Sequence, residues 1–301
     1  MVKNFLSFVE IQTKLATFLP FCVALAFVFF STGGINVVST LLYIVAALFL
    51  DMSVTAINNH LDAREEKTKP HYSNVVGVII ILAMLIVSAL VGVYLVYLHG
   101  FTLLVAGMFC FFIGIIYTFG PMPISKSTYG EFFSGFVVGP VVMFIVVTIN
   151  HPYFNPLGLG FDLTYLRFSM DIDLVALALF GIVTVPTAFG ASSILLANNI
   201  CDREKDRAYR YTLVHSIGLK NSLRLFRAFY YGAYVAIVLG VVLRQLPITA
   251  LVTLVTIIPV QKNINIFLAK QVKAETFVIS VKNFMVIMVV YALSIAIGGL
   301  F

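Results

Sequence analysis

Charge is what this chain has least of. Asp, Glu, Lys and Arg together make up 11% of its 301 residues, and apolar residues make up 61%. A soluble domain carries about 25% charged residues, so a large water-soluble core is excluded. Mean hydropathy is +1.04. Tryptophan is absent and there are three cysteines, Cys22, Cys110 and Cys201. They are too few and too scattered for a disulfide framework. The first two lie inside apolar runs, where cysteine acts as a small apolar filler. No zinc-ligand spacing occurs, and the five histidines are dispersed. The net charge of +6 is no nucleic-acid footprint, because no basic run is interleaved with stacking aromatics on a soluble face. There is no low-complexity linker, and residues 1–301 are read as a single membrane domain.

What the chain has is a series of apolar runs, and about 20 such residues span a bilayer. Nine are read, at 15–32, 36–57, 75–98, 101–119, 132–149, 174–197, 226–243, 246–260 and 277–299. The eighth is short and carries Pro259. The fourth has an alternative end at Gly114. The expected fold is therefore all-α, with nine transmembrane helices around a central cavity. Placing the N-terminus inside leaves only Arg167 and Arg244 on the outer side, as the positive-inside rule requires. Lys3 before an apolar stretch and Ala24-Leu25-Ala26 mimics a signal peptide. Glu10, Gln12 and Lys14 interrupt that stretch, so a first anchor helix is preferred. The longest outer loop, 150–173, is rich in turn signals: His151-Pro152, Asn155-Pro156 and Gly158-Leu159-Gly160.

Two of the inner segments open with acids at a matched spacing. The first reads Asn58-Asn59-His60-Leu61-Asp62-Ala63-Arg64-Glu65-Glu66, the second Asn198-Asn199-Ile200-Cys201-Asp202-Arg203-Glu204-Lys205-Asp206. Residues four apart stack on one helix face. Asn58, Asp62 and Glu66 form one row, with Glu65 the alternative to Glu66; Asn198, Asp202 and Asp206 form the other. The bland reading is a solvated helix end, with Asp62 and Glu66 paired to nearby lysines, Asp202 to Lys205, and Asp206 to Arg210. Against it, the same arrangement occurs twice on one side of a very apolar chain, and adjacent amides at a membrane boundary are costly unless satisfied. Two facing rows of hard oxygen donors suit Mg²⁺, which works together with phosphate oxygens. The expectation is an intramembrane enzyme that handles a diphosphate. His60 lies off the row and is read as a bystander.

The second row, followed by Arg210-Tyr211-Thr212-Leu213, resembles the second aspartate motif of the UbiA superfamily of intramembrane prenyltransferases. The first row resembles that family's first motif, Asn-Asp-x-x-Asp-x-x-x-Asp. Tyr117-Thr118-Phe119-Gly120-Pro121-Met122-Pro123, with Gly130-Glu131 and Gly139-Pro140, is similar to the branch that prenylates 1,4-dihydroxy-2-naphthoate in menaquinone synthesis. The resemblance covers nearly the whole chain. Four places depart from it. Asn59 and Glu66 stand where the family has Asp. Tyr209-Arg210-Tyr211 replaces a Gly-Lys/Arg run and is one residue shorter. Glu10 stands where many relatives have Arg, with Lys14 one turn on.

The resemblance implies a mechanism. Mg²⁺ held by Asn58, Asp62, Glu66, Asn198, Asp202 and Asp206 binds the diphosphate of a polyprenyl donor, and Asp62, Asp202 and Asp206 carry catalysis. Tyr117, Lys126, Arg210, Arg64 and Asn199 are the implied substrate contacts, with an interfacial aromatic belt the bland alternative for Tyr117. Phe and Tyr rings must stabilise the allylic cation, since there is no Trp. A tunnel between helices takes the prenyl tail, the aromatic acceptor is 1,4-dihydroxy-2-naphthoate, and the site faces the cytoplasm of a bacterial cell membrane. The rival readings are another acceptor, such as 4-hydroxybenzoate, haem or a phosphoribosyl donor; a transporter, whose ionisable groups belong at the bilayer midplane; and a silent isoprenoid-binding relative.

Overall fold

A computed structural model describes residues 2–65, 70–151, 154, 156–162, 164–207 and 209–301, the side chains of Gln12, Leu15, Ala16, Arg64 and Glu65 aside. The helices are α1 (Val2–Phe8), α2 (Leu15–Thr32), α3 (Val37–Glu65), α4 (Asn74–His99), α5 (Phe101–Thr118), α6 (Gly130–Phe136), α7 (Val142–Asn150), α8 (Leu174–Asp206), α9 (Leu213–Val242), α10 (Ile257–Ala269) and α11 (Phe277–Gly298). Eight helical spans among the described residues are long and apolar enough to cross a membrane. The first expected run, 15–32, is a shorter apolar helix, Thr17–Thr32. Among the described residues, these eight spans and the one shorter apolar helix lie at the positions of the expected runs, and the protein is an integral membrane protein.

Two spans are composite. The fifth joins α6 to α7 through a π-helical turn, Val137–Val141, that contains Pro140. Proline lacks the N–H that an α-helical ladder needs, and the wider turn absorbs the mismatch. The eighth, Ile248–Ala269, begins as a 3₁₀ helix, Ile248–Thr256, and continues as α10. That extension is why it reaches spanning length although its apolar run looked short. The fourth ends at Thr118, not at Gly114.

Among the described residues, the departure from helix lies in the loop that the sequence reads as outer. Strands β1 (Leu157–Asp162) and β2 (Arg167–Ile172) pair antiparallel, Leu157 opposite Ile172 and Asp162 opposite Arg167. The hairpin is fastened to the start of α5. Leu159 N–H donates to Thr102 Oγ1 at 2.9 Å, and Phe101 stacks on Phe161. The sequence signalled turns here, but the strands alternate too weakly to show themselves as a pair.

The main apolar core lies among α2, α7, α8, α9, α10 and α11, with Phe226, Tyr230, Phe267, Phe284 and Tyr291 fully enclosed. A smaller cluster, Phe8, Val9, Met52, Ala56, Ile81 and Met84, joins α1, α3 and α4. In lipid, helices associate by close packing, with small residues at the contacts. α6 and the π turn lie directly against α8. A Cβ on Gly139 would sit 2.7 Å from the Cβ and N of Ala188, and one on Gly135 would sit 2.1 Å from Ser192 Oγ. No other residue fits either position, and this approach fixes the height of Glu131 beside α8.

Candidate active site

The α3 row folds as its spacing requires. Asn58 Nδ2 donates to Asp62 Oδ2 at 2.9 Å. Asn59 points elsewhere, donating to the Phe8 carbonyl at 3.0 Å and so fastening α1. His60 is buried against Gly77 of α4, off the row. Glu66 and the side chain of Arg64 lie outside the described residues.

The α8 row is met by two cations from elsewhere in the chain. Lys273, in the segment between α10 and α11, places Nζ 2.5 Å from Asp202 Oδ2 and also donates to Asn198 Oδ1. Arg210 lies just beyond the end of α8. Its backbone N–H donates to the Asp206 carbonyl at 2.8 Å, which folds the chain back over the helix end. Its guanidinium reaches Asp62 Oδ2 at 3.3 Å and lies 4.0 Å from Asp206 Oδ1. One arginine therefore touches both acidic rows, 144 positions apart in sequence between Asp62 and Asp206. Of the sequence's simple pairings, Asp206 with Arg210 forms, and Asp202 also has Lys273 as a partner.

A third segment joins the same end of the bundle. Tyr211 N–H donates to the Lys126 carbonyl at 3.1 Å, which ties the segment after α8 to the one before α6. Thr212 and His215 form a reciprocal cap at the start of α9, and His215 Nε2 lies 3.0 Å from the Arg203 carbonyl. Tyr117 is half-buried at the end of α5, within electrostatic reach of Arg210 and Glu131. Tyr117, Lys126 and Arg210 are thus brought together with Asp62, Asp202, Asp206, Asn58 and Asn198. Asn199 is not on their open face. It is buried, and its Nδ2 donates to Glu131 Oε1 at 2.9 Å across the α6–α8 contact. Adjacent helix positions point about 100° apart, so Asn198 and Asn199 serve different faces of α8.

Four residues at or near this end, Glu131, Lys14, Asp51 and Lys273, were given no site role from the sequence. Glu131 is 1% exposed, and its Oε2 has no hydrogen-bond partner. Its carbonyl accepts from Ser192 Oγ at 2.8 Å. Lys14 is enclosed between Asp51 Oδ1 at 3.0 Å and Thr55 Oγ1 at 2.5 Å, while Thr17 Oγ1 donates to Asp51 Oδ2 at 2.8 Å. Asp51 stands eleven positions before Asp62, about three turns deeper and only about 20° off its azimuth. Both acids had a readable signal, since an ionisable residue inside an apolar span is a functional hypothesis by default. Lys273 had none: it is one of several lysines in segments that the charge pattern reads as inner.

The donor chemistry fits a divalent cation. Each row offers carboxylate and amide oxygens, the hard ligands that Mg²⁺ prefers. Among the described residues no group of three or more acidic, His or Cys side chains closes a cage of its own. Mg²⁺ rarely uses such a cage; one or two carboxylates, waters and substrate phosphates suffice. Arg210 bridges Asp62 and Asp206, and Lys273 pairs with Asp202.

Residues 18–297 match the model of the UbiA prenyltransferase family. A 1,4-dihydroxy-2-naphthoate octaprenyltransferase of Bacillus subtilis (strain 168) is 29% identical over 153 residues, which is 50% of this chain and 42% of that one. The match thus spans less than half of the relative's length. Two solved structures share the fold over nearly their full lengths. A digeranylgeranylglyceryl phosphate synthase superposes with a TM-score of 0.62 at 15% identity, covering 99% of this chain and 98% of that one. A UbiA homologue from Archaeoglobus fulgidus, solved with DMAPP and Mg²⁺, gives 0.65 at 12% identity, covering 97% and 99%. With the family model matched from the first long helix to the last, the chain belongs to the UbiA prenyltransferase family.

Proposed function

We propose that this protein transfers a prenyl group from an allylic diphosphate to an aromatic acceptor, with Mg²⁺, and that the acceptor is 1,4-dihydroxy-2-naphthoate. The observation that carries the reading is the convergence of Asp62 and Asp206 on one guanidinium, with Asn198 and Asp202 on a second cation alongside. Acids gathered with cations at one end of an apolar bundle suit a ligand that is anionic at its head and apolar in its tail. The Mg²⁺ and DMAPP of the Archaeoglobus relative, and the naphthoate acceptor of the Bacillus one, support the reading.

Asn58 and Asp62 would hold one side of the metal-diphosphate assembly, Asn198, Asp202 and Asp206 the other. The bound metal supplies Lewis-acid neutralisation of the leaving diphosphate. Arg210 and Lys126 add cationic contacts to its oxygens, since guanidinium binds phosphate bidentately and ammonium as a point charge. The allylic C–O bond breaks with its electron pair leaving on the diphosphate. The ring carbon of the acceptor supplies the pair for the new C–C bond. Departure of the ring carboxylate as carbon dioxide then restores the aromatic system.

Acceptor competition in the purified protein tests the finer assignment. Label from an allylic diphosphate should pass to the naphthoate in preference to 4-hydroxybenzoate. Efficient labelling of 4-hydroxybenzoate alone would overturn the acceptor and keep the reaction class.

A further inference from the structure

We propose that Lys273 is a diphosphate-binding residue of this site, delivered by the segment between α10 and α11. The inference rests on the metal-diphosphate reading above and extends it to a part of the chain outside both acidic motifs.

The segment is built to present this side chain. Gln271 Nε2 donates to the carbonyls of Phe267 at 2.7 Å and Leu268 at 2.8 Å, closing the end of α10. Val272 N–H donates to Thr276 Oγ1 at 2.9 Å, and the N–H groups of Glu275 and Thr276 return to the Val272 carbonyl at 3.0 and 2.8 Å. Lys270 and Glu275 pair at 2.6 Å across the turn. The backbone on both sides of Lys273 is therefore braced.

The side chain itself is not enclosed. It is 44% exposed, with its ammonium 4.9 Å from the centroid of the Phe277 ring. At that exposure an ion pair contributes little to stability, about 0–1 kcal/mol in general. Fold maintenance alone is a weak reason for bracing a turn around it.

The oxygens that Lys273 holds are the informative part. Asp202 Oδ2 and Asn198 Oδ1 are the same donor types, on the same helix face, that would hold Mg²⁺. They cannot serve a close-fitting cation and the ammonium at full strength together. A metal ion arriving with its diphosphate takes the oxygens, and the ammonium needs a new anion within its reach. A four-carbon stem on a fixed turn allows that movement, and the nearest new anion is the diphosphate that the metal carries. Lysine suits this exchange better than arginine because it is a compact point charge with three rotatable donors. Lys273 then gives the second row a cation of its own beside Arg210, which touches both rows.

The test uses the full chain in detergent, with Lys273→Gln and Lys273→Arg. Binding of geranyl S-thiolodiphosphate is measured at saturating Mg²⁺. Binding of Mn²⁺ without any diphosphate is measured by electron paramagnetic resonance. The expected result for Lys273→Gln is at least tenfold weaker thiolodiphosphate binding together with severalfold tighter Mn²⁺ binding, because the competing ammonium is gone. Lys273→Arg should recover part of the diphosphate affinity. In turnover, KM for the prenyl donor should rise while KM for the acceptor stays. A purely structural lysine would lower the thermal midpoint and move neither affinity. Thiolodiphosphate binding by Lys273→Gln within twofold of the native protein overturns the proposal alone. Failure of the native protein to bind it with Mg²⁺ overturns both this proposal and the reading it rests on.

Discussion

Replacing Asp202 by Ala is expected to lower prenyl transfer by about 10³-fold or more, with the protein still folded. Asp62→Ala and Asp206→Ala should do the same. Electrostatic stabilisation of a leaving diphosphate is the main work such a site does, and loss of a single preorganised contact costs about 10²–10³ elsewhere; here a metal ligand is lost as well. Stability should change little. Asp62 and Asp202 are partly exposed and sit in pairs with Arg210 and Lys273 that also retain solvent. Pairs of that kind contribute roughly 0–1 kcal/mol. Turnover measured beside the thermal midpoint separates the two effects. Native turnover in Asp202→Ala would remove Asp202 from the site.

The largest effect on stability is expected away from the acidic rows, at Lys14. Its side chain is only 8% exposed and is enclosed by Asp51 and Thr55 inside the bundle. Lys14→Met removes the cation and leaves the Asp51 carboxylate with Thr17 as its remaining described partner. Breaking a fully buried pair from one side costs about 3–5 kcal/mol, and somewhat less is expected here because Asp51 is 28% exposed; replacing both members by apolar residues is often neutral. The thermal midpoint of Lys14→Met should fall by roughly 10 °C, and Lys14→Met combined with Asp51→Leu should recover most of that loss. A double variant as unstable as the single one would show that the pair is not what the site requires.

The parts of this molecule that were legible in the sequence share a physical cause. Spans could be read because lipid demands long uninterrupted apolar runs, and the two rows because four-residue spacing on a helix is a rigid ruler. Asp62 and Asp206 accordingly converge on one residue, Arg210, which adjoins the second motif. What stayed hidden depends on tertiary contact. Lys273 looks like any lysine of a connecting segment until α10 and α11 bring it onto Asp202. Asn199 is implied as a substrate contact, yet one helix step from Asn198 turns it into the α6–α8 seam to meet Glu131. That seam is set by Gly135 and Gly139 lying on Ala188 and Ser192, a close approach that periodicity does not express. The hairpin at 157–172 escaped because its strands are short and mostly exposed.

The account stands or falls on two distant acidic rows making one site. The direct measurement is Mn²⁺-dependent binding of an allylic diphosphate to the native protein, to Asp62→Ala, to Asp202→Ala and to the double variant. The account predicts tight binding by the native protein, loss in either single variant, and a double variant no worse than the singles, because groups that act as one unit are not additive. Native-like binding by either single variant would contradict it.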